Sequence, residues 1–460
     1  MTLDLAAVEA RLLRRLDGLL RIPSVSTDPA YAGAMRDAQR YLLAWLGDLG
    51  FADMQVLEGG GHAAVFAQRL EAPGLPTLLV YGHYDVQPPD PLDLWKSPPF
   101  EPTLRNGRLY ARGAADDKGP VAIALEAIGA LLERDGKLPV NLKVLLEGEE
   151  EVGSRTLPVI VQQNATLLAA DVVLSADGAR WRADLPTVTV ATRGNTGFGF
   201  TVRTAAKDLH SGRYGGTVRN ALHVVAELVA ALHDAEGRIA VPGFYDGIVD
   251  PDPTERAAAT GAIPFDEAAL FESIGAAPYG EAGHGTLERL WFRPTLDANG
   301  LWGGYQGPGS KTVIPCEAHA KLTMRLVPGQ EPEAVKAKVM AHLRSLCPAG
   351  VSLEIGETRA GAPAYQVPGD HPVLLAIEET LAEVHGVRPL RVRMGATLPV
   401  NALFRDALGA ETLMLSYATA DEDFHAPNEF IRLSAIGEGL RAWTLLLQRL
   451  GTAGRLRSQP

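Results

Sequence analysis

Several stretches of the sequence carry side chains able to hold a metal ion. The apolar run Thr77–Tyr81 leads into Gly82-His83-Tyr84-Asp85, Leu142–Leu146 leads into the acidic turn Glu147–Ser154, and Asp171–Ser175 leads into Ala176-Asp177. Between the first two, Asp116 and Asp117 precede a helical pattern, and far downstream the acidic loop Asp421–Glu429 supplies His425. Singly, each has an ordinary explanation. A histidine at a strand end is usually a hydrogen-bonded loop residue, an acidic run is usually solvated, and an aspartate after a strand is usually a turn former or helix cap. Jointly they differ, because carboxylates crowded at one sheet edge repel unless a cation neutralises them. In open α/β sheets, ligands also gather beyond the carboxyl ends of the strands. Two imidazoles and a group of carboxylates, with no thiol, suit zinc, manganese or cobalt.

The elements that must position these residues alternate. Helical patterns near 4–20 and 31–49 are followed by short apolar runs at Ala63–Ala67, Thr77–Tyr81, Leu142–Leu146 and Asp171–Ser175, which read as strands. Val121–Glu133 and Leu157–Leu168 read as the helices between them. This is the pattern of an α/β domain with a largely parallel sheet. After Asp177 the pattern changes to strands at Thr187–Ala191 and Gly197–Arg203, a helix over Thr217–Ala235 and an irregular stretch from about 237 to 311. A strand over Thr312–Val327, a helix over Pro332–Leu346 and a strand over Val351–Ile355 follow. The last hundred or so residues return to α/β alternation, with helices near 372–386, 398–408 and 431–450. The expected organisation is a catalytic α/β domain in two parts, 1–189 and 363–460, interrupted by an α+β domain over 190–362.

Composition narrows the class. The chain has 460 residues, too many for one compact core, and a formal net charge of −12. That balance argues against a nucleic-acid partner and against a polybasic membrane anchor. Two cysteines, Cys316 and Cys347, exclude a disulfide framework and a thiolate-rich metal site. The first helical pattern is amphipathic and no apolar run is long enough to span a bilayer, so the expectation is a cytoplasmic protein.

With these residues in view, the chain resembles the dinuclear metallopeptidase family of carnosine-type dipeptidases, glutamate carboxypeptidase, aminoacylase and succinyl-diaminopimelate desuccinylase. The resemblance runs over nearly the whole chain. It rests on Gly82–Val86, Arg112–Gly119, Glu147–Ser154, Asp208–Gly216, Lys311–Pro315 and His425–Glu429. Trp95–Phe100 and the long insert ending in Lys311–Pro315 are most like the carnosine-type dipeptidases. It implies a zinc-peptidase-like α/β domain with an inserted lid and dimerisation domain, hence a homodimer acting on small peptides.

Carried over residue by residue, the resemblance makes His83 and Asp177 ligands of one divalent ion and Glu151 and His425 ligands of another, with Asp116 bridging. The ions it implies are zinc, with manganese or cobalt as alternatives. It implies a cis Asp116–Asp117 peptide, and it makes Asp85 the partner that orients the His83 imidazole, a pairing natural for residues two apart in a strand. Glu150 matches the general base that takes a proton from a water between the cations. His210 resembles a histidine that reaches into the neighbouring subunit's site to stabilise the oxyanion, and Arg325 an arginine that grips the substrate carboxylate. Thr312 matches a further substrate contact.

One departure concerns Gly395-Ala396-Thr397-Leu398-Pro399, where the family often has Gly-Gly-Ser before the proline. The added methyl and the bulkier hydroxyl residue would reshape a carboxylate pocket built on Gly395 and Thr397. Other motifs fail. Gly307–Thr312 lacks the order of a phosphate loop, and neither Gly-x-Ser-x-Gly nor His-Glu-x-x-His occurs. The reading is a dinuclear metal-dependent exopeptidase for dipeptides or short peptides with a free C-terminal carboxylate. The alternative is an N-acyl-amino-acid amidohydrolase using the same site. A non-catalytic binding protein on this fold would have lost ligands or base, and here all are present.

Overall fold

The structure, a computed structural model, describes residues 4–248 and 251–453. The chain divides into two compact units, one drawn from Met1–Val190, Val367–Val392 and Leu403–Pro460, the other from Ala191–Gln366 and Arg393–Ala402. Each is a sheet-and-helix body with its own core.

The first unit is built on a six-stranded sheet in the order Asp53–Leu57, Ala64–Arg69, Asn141–Glu147, Thr77–His83, Val172–Ser175, Glu411–Met414. The last four run parallel and the first two pair antiparallel at one edge, so the sheet is mixed. Asn141–Glu147 is buried at every position, as a strand covered on both faces must be, and this is why apolar residues occupy both of its faces, with Lys143 satisfied by the Leu167 and Ala169 carbonyls. Helix Lys118–Asp135 starts directly after Asp117 and is buried from Lys118 through Leu131. It ends at Gly136, whose φ of 68° suits glycine and whose N–H closes on the Leu132 carbonyl.

Helices Leu5–Leu20 and Leu433–Ala453 pack on that buried helix. In Leu5–Leu20 the residues Val8, Leu12, Leu16 and Leu19 form one buried stripe, and the Asp4 side chain caps the Ala7 N–H. Glu126, fully buried, ties three helices by accepting from Arg11 at 2.6 Å, Arg15 at 3.1 Å and the Trp45 indole at 3.0 Å. The expected helix over Leu157–Leu168 is two pieces, Leu157–Gln163 and Ala165–Leu168, separated at Asn164, whose Nδ2 turns back to the Ile160 carbonyl.

The second unit holds a four-stranded antiparallel sheet in the order Thr295–Gly303, Glu317–Leu326, Gly194–Arg203, Ser352–Ala362. In Glu317–Leu326 the alternating residues Ala318, Ala320, Leu322, Met324 and Leu326 are buried. Helices Ala221–Ala230 and Pro332–Leu346 meet that face through Val224, Val225, Leu228, Val335, Val339 and Leu343.

Three expectations are corrected here. The helix over Thr217–Ala235 is confined to Ala221–Ala230, because Asn220 caps it by accepting from the Leu222 N–H. The strand over Thr312–Val327 is broken into Val313–Ile314 and Glu317–Leu326 around Pro315, which has no N–H for a ladder. The stretch 237–311 contains helices Pro253–Gly261, Glu267–Ile274 and Thr286–Phe292 and the whole of strand Thr295–Gly303. Among the described residues, no helix is long and apolar enough to cross a membrane. Cys316 and Cys347 are both free thiols.

Candidate metal centre

The carboxyl ends of the parallel strands deliver the site. His83 is the last residue of Thr77–His83, Asp177 lies two residues beyond Val172–Ser175, and Glu150 and Glu151 form the turn that follows Asn141–Glu147. Asp116 closes the loop before helix Lys118–Asp135, and the peptide joining it to Asp117 is cis. His425 adopts a positive φ of 61° in the loop preceding Phe430–Arg432.

Asp116 lies between the two imidazoles. Its Oδ1 is 3.0 Å from His83 Nε2 and its Oδ2 is 2.9 Å from His425 Nε2. His425 Nε2 is also 3.1 Å from Glu151 Oε2, and Gln87 Nε2 donates to the same Oε2 at 2.9 Å. Two triads with mutually close donor atoms result, His83–Asp116–Asp177 and Asp116–Glu151–His425, each with its donors within 4.8 Å of one another. The first is deeply buried, with the His83 side chain inaccessible, whereas 55% of the His425 side chain is exposed.

Electrostatics test whether cations fit. Burial pushes the Asp177 carboxyl up to about 6; His83 opposes this, and Asp116 and Glu151 add to it. Glu150 is likewise raised by burial, with Asp177, Asp116 and Glu151 reinforcing the shift against His83. Hydrogen bonds to Asp116 and Glu151 outweigh burial and hold the His425 imidazolium up to about 10. Burial opposes a charge on His83, yet its bonds to Asp116 and Asp85 raise it too. Asp116 is the converse: burial works to raise it, and the two imidazoles more than reverse that. Protons are thus retained by imidazoles and carboxylates whose lone pairs converge, an arrangement that divalent cations relieve on binding. The oxygen and nitrogen donors therefore fit two divalent ions.

Asp85 behaves differently from the simple pairing expected of it. His83 Nδ1 bonds the Asp85 backbone carbonyl at 3.0 Å, and the carboxylate is farther, at 3.4 Å. The Asp85 carboxylate instead spans the next turn, accepting from the N–H groups of Glu150 at 3.2 Å and Glu151 at 3.1 Å.

The remaining expected site residues lie in the second unit. Arg325 Nη1 donates to Thr397 Oγ1 at 2.8 Å, so strand and loop residues far apart in sequence meet. Gly395 accepts from Arg193 Nε at 2.9 Å through its carbonyl, and a Cβ there would lie 3.1 Å from Arg193 Nη2. His210 is exposed on the two-residue strand Leu209–His210, which pairs with Val313–Ile314, and its Nδ1 accepts from the Gly212 N–H at 3.0 Å. Thr312 is exposed beside it, its carbonyl accepting from the Ser211 N–H at 3.2 Å.

Sequence reasoning gave no role to Arg193, Arg112, Gln87 or Glu429. Arg193 is buried, its guanidinium lowered to about 10 by burial and by the neighbouring Arg325 charge. Glu429 was within reach, since it closes the same short motif as His425.

Comparison with known proteins agrees with this geometry. Residues 79–449 match peptidase family M20/M25/M40. The Cys-Gly metallodipeptidase dug1 of Schizosaccharomyces pombe is 31% identical over 456 residues, 95% of each chain. The Beta-Ala-His dipeptidase of Homo sapiens is 32% identical over 360 residues, covering 77% of this chain and 71% of that protein. Among solved structures, the M20 family metallo-carboxypeptidase Sso-CP2 from Sulfolobus solfataricus superposes with a TM-score of 0.84 at 31% identity, covering 96% of this chain and 99% of that one. The chain belongs to peptidase family M20/M25/M40 and is a metal-dependent hydrolase of amide and peptide bonds.

Proposed function

We propose that the protein is a dinuclear metal-dependent exopeptidase that hydrolyses dipeptides or short peptides bearing a free C-terminal carboxylate. The observation that carries this reading is Asp116 presenting one oxygen to each of two imidazoles, 3.0 Å from His83 and 2.9 Å from His425, with Glu150 beside them. His83, Asp116 and Asp177 would hold one ion and Asp116, Glu151 and His425 the other, zinc being the first candidate and manganese or cobalt the alternatives. Bound there, the ions supply Lewis-acid polarisation of the scissile carbonyl and lower the pKa of the attacking water.

The rest is the work of side chains. Glu150 takes the proton of the attacking water and returns it to the leaving amine, a task suited to a carboxyl that burial has raised well above the ordinary glutamate range. Arg325, steadied by Thr397, receives the substrate's terminal carboxylate through its planar fork. His210, exposed in the second unit, supplies an oxyanion donor to a partner subunit, which makes the working form a homodimer joined through residues of that unit. The free thiols of Cys316 and Cys347 favour a cytoplasmic location.

Metal analysis of the purified protein followed by a substrate panel after reconstitution tests the reading. Dipeptides should be turned over faster than N-acyl amino acids. A hundredfold preference for acyl substrates would assign the site to a deacylase instead.

A further inference from the structure

Glu429 is completely buried, yet it belongs to neither triad. Its Oε2 accepts from Arg112 Nη1 at 2.7 Å and from the Gly113 N–H at 3.0 Å. Its Oε1 accepts from the N–H groups of Ala115 at 2.9 Å and Asp116 at 3.1 Å. Its backbone carbonyl accepts from the Ala111 N–H at 3.1 Å. One residue thus grips the loop 111–116 at five points, one of them the backbone N–H of Asp116, the residue shared by both triads.

The other end of the grip is equally fixed. Phe430–Arg432 pairs antiparallel with Arg108–Tyr110, anchoring the chain just after Glu429 to the strand that leads into the same loop. Before it, Asn428 accepts from the Lys96 N–H at 2.8 Å and donates to the Leu94 carbonyl at 2.9 Å. Arg112 is held in turn by the Pro88 carbonyl at 3.2 Å and lies over the Trp95 ring. Burying a carboxylate is costly unless every lone pair finds a donor, and here four donors, one of them cationic, converge on two oxygens.

We propose that Glu429 is the positioning residue of the metal centre, locking the loop that carries Asp116 to the loop that carries His425 so that both imidazoles face one carboxylate. This rests on Asp116 and His425 being metal ligands. A glutamine cannot take over, since its amide N–H group would confront N–H donors at one of the two oxygen positions.

The test is Glu429→Gln, read by zinc affinity and stoichiometry in competition with a chromogenic chelator, and by the rise in melting temperature on adding zinc to the apoprotein. The expected result is a fold retained by circular dichroism, zinc affinity lowered about 10- to 100-fold, and a smaller zinc-induced rise. Wild-type affinity, stoichiometry and zinc-induced rise in the variant would overturn the proposal, even if its apoprotein melted lower. Glu126→Gln, at an equally buried carboxylate bonded to Arg11, Arg15 and Trp45 and not to residues 111–116, should leave zinc affinity unchanged even if the apoprotein melts lower; an equal loss of affinity there also overturns it. If Glu429→Gln does not fold, Arg112→Met decides: weakened zinc binding supports the lock and unchanged binding overturns it. A wild-type protein that binds no divalent ion would instead sink the functional reading itself.

Discussion

Asp85 holds Glu150 by its backbone: the aspartate Oδ1 accepts the Glu150 N–H at 3.2 Å, while the Asp85 carbonyl faces His83 Nδ1 at 3.0 Å. A single residue thereby sets the tautomer of a proposed ligand and the place of the proposed base. Replacing it with asparagine puts an amide N–H against one of the two backbone donors of the Glu150-Glu151 turn. Asp85→Asn should lower kcat by about 10- to 100-fold while zinc remains bound. Steady-state kinetics with metal analysis of the same sample check it, and unchanged kcat would remove Asp85 from the positioning of the base.

Glu150→Gln isolates the proton transfer. The side chain keeps its shape and belongs to neither metal triad, so two ions per chain should still bind. Turnover should fall by about 100- to 10,000-fold, the usual worth of a general base. Hydrolysis near the wild-type rate would mean that another group removes the proton.

Arg325→Met addresses substrate recognition. Losing a charge-assisted fork should raise KM for free dipeptides by about 10- to 100-fold, in line with about 1.5–3 kcal/mol for a hydrogen bond to a charged group. Dipeptide amides, which lack the carboxylate, should show no such change. Thr397→Val, which removes the 2.8 Å partner of Arg325, should shift KM in the same direction by less.

Stability should depend on His385 in mild acid. Burial depresses its pKa, with Arg180 and Arg441 working the same way against Glu438, and its Nε2 lies 3.2 Å from the Tyr417 hydroxyl. A histidine depressed in the folded state is protonated first in the unfolded chain. Its contribution is therefore fully present above the ordinary histidine pKa and is lost as pH falls through the folded value. Thermal unfolding of wild type and His385→Gln at a series of pH values from 7.5 to 5 should show the variant losing less stability on acidification. Parallel curves would exclude His385 as a source.

Much of this candidate site was legible because histidines, clustered carboxylates and strand ends leave local marks. His83, Asp177 and the Glu147–Ser154 turn each follow an apolar run that is a strand, and the parallel connections bring those ends to one edge. What escaped notice depends on partners remote in sequence. Glu429 meets Gly113 across 316 residues and Arg193 meets Gly395 across 202, and no periodicity encodes such pairs. The i, i+2 rule placed Asp85 beside His83, but the turn after Asn141–Glu147 offers two backbone N–H groups that win its carboxylate. The helices within 237–311 are nine residues or fewer and sit among glycines and prolines, so their amphipathic signal is too short to separate from loop.

The shared carboxylate of Asp116 also has a kinetic side. One triad closes around an inaccessible imidazole, and the other around an imidazole that is more than half exposed. An ion held by the first would have a histidine ligand closed to solvent, whereas an ion held by the second would have one open to it. Brief chelation would therefore strip the outer position first and trap a half-loaded protein. Because Asp116 belongs to both, that species would hold its remaining ion in an altered field, so refilling the outer position would restore the inner one's environment as well.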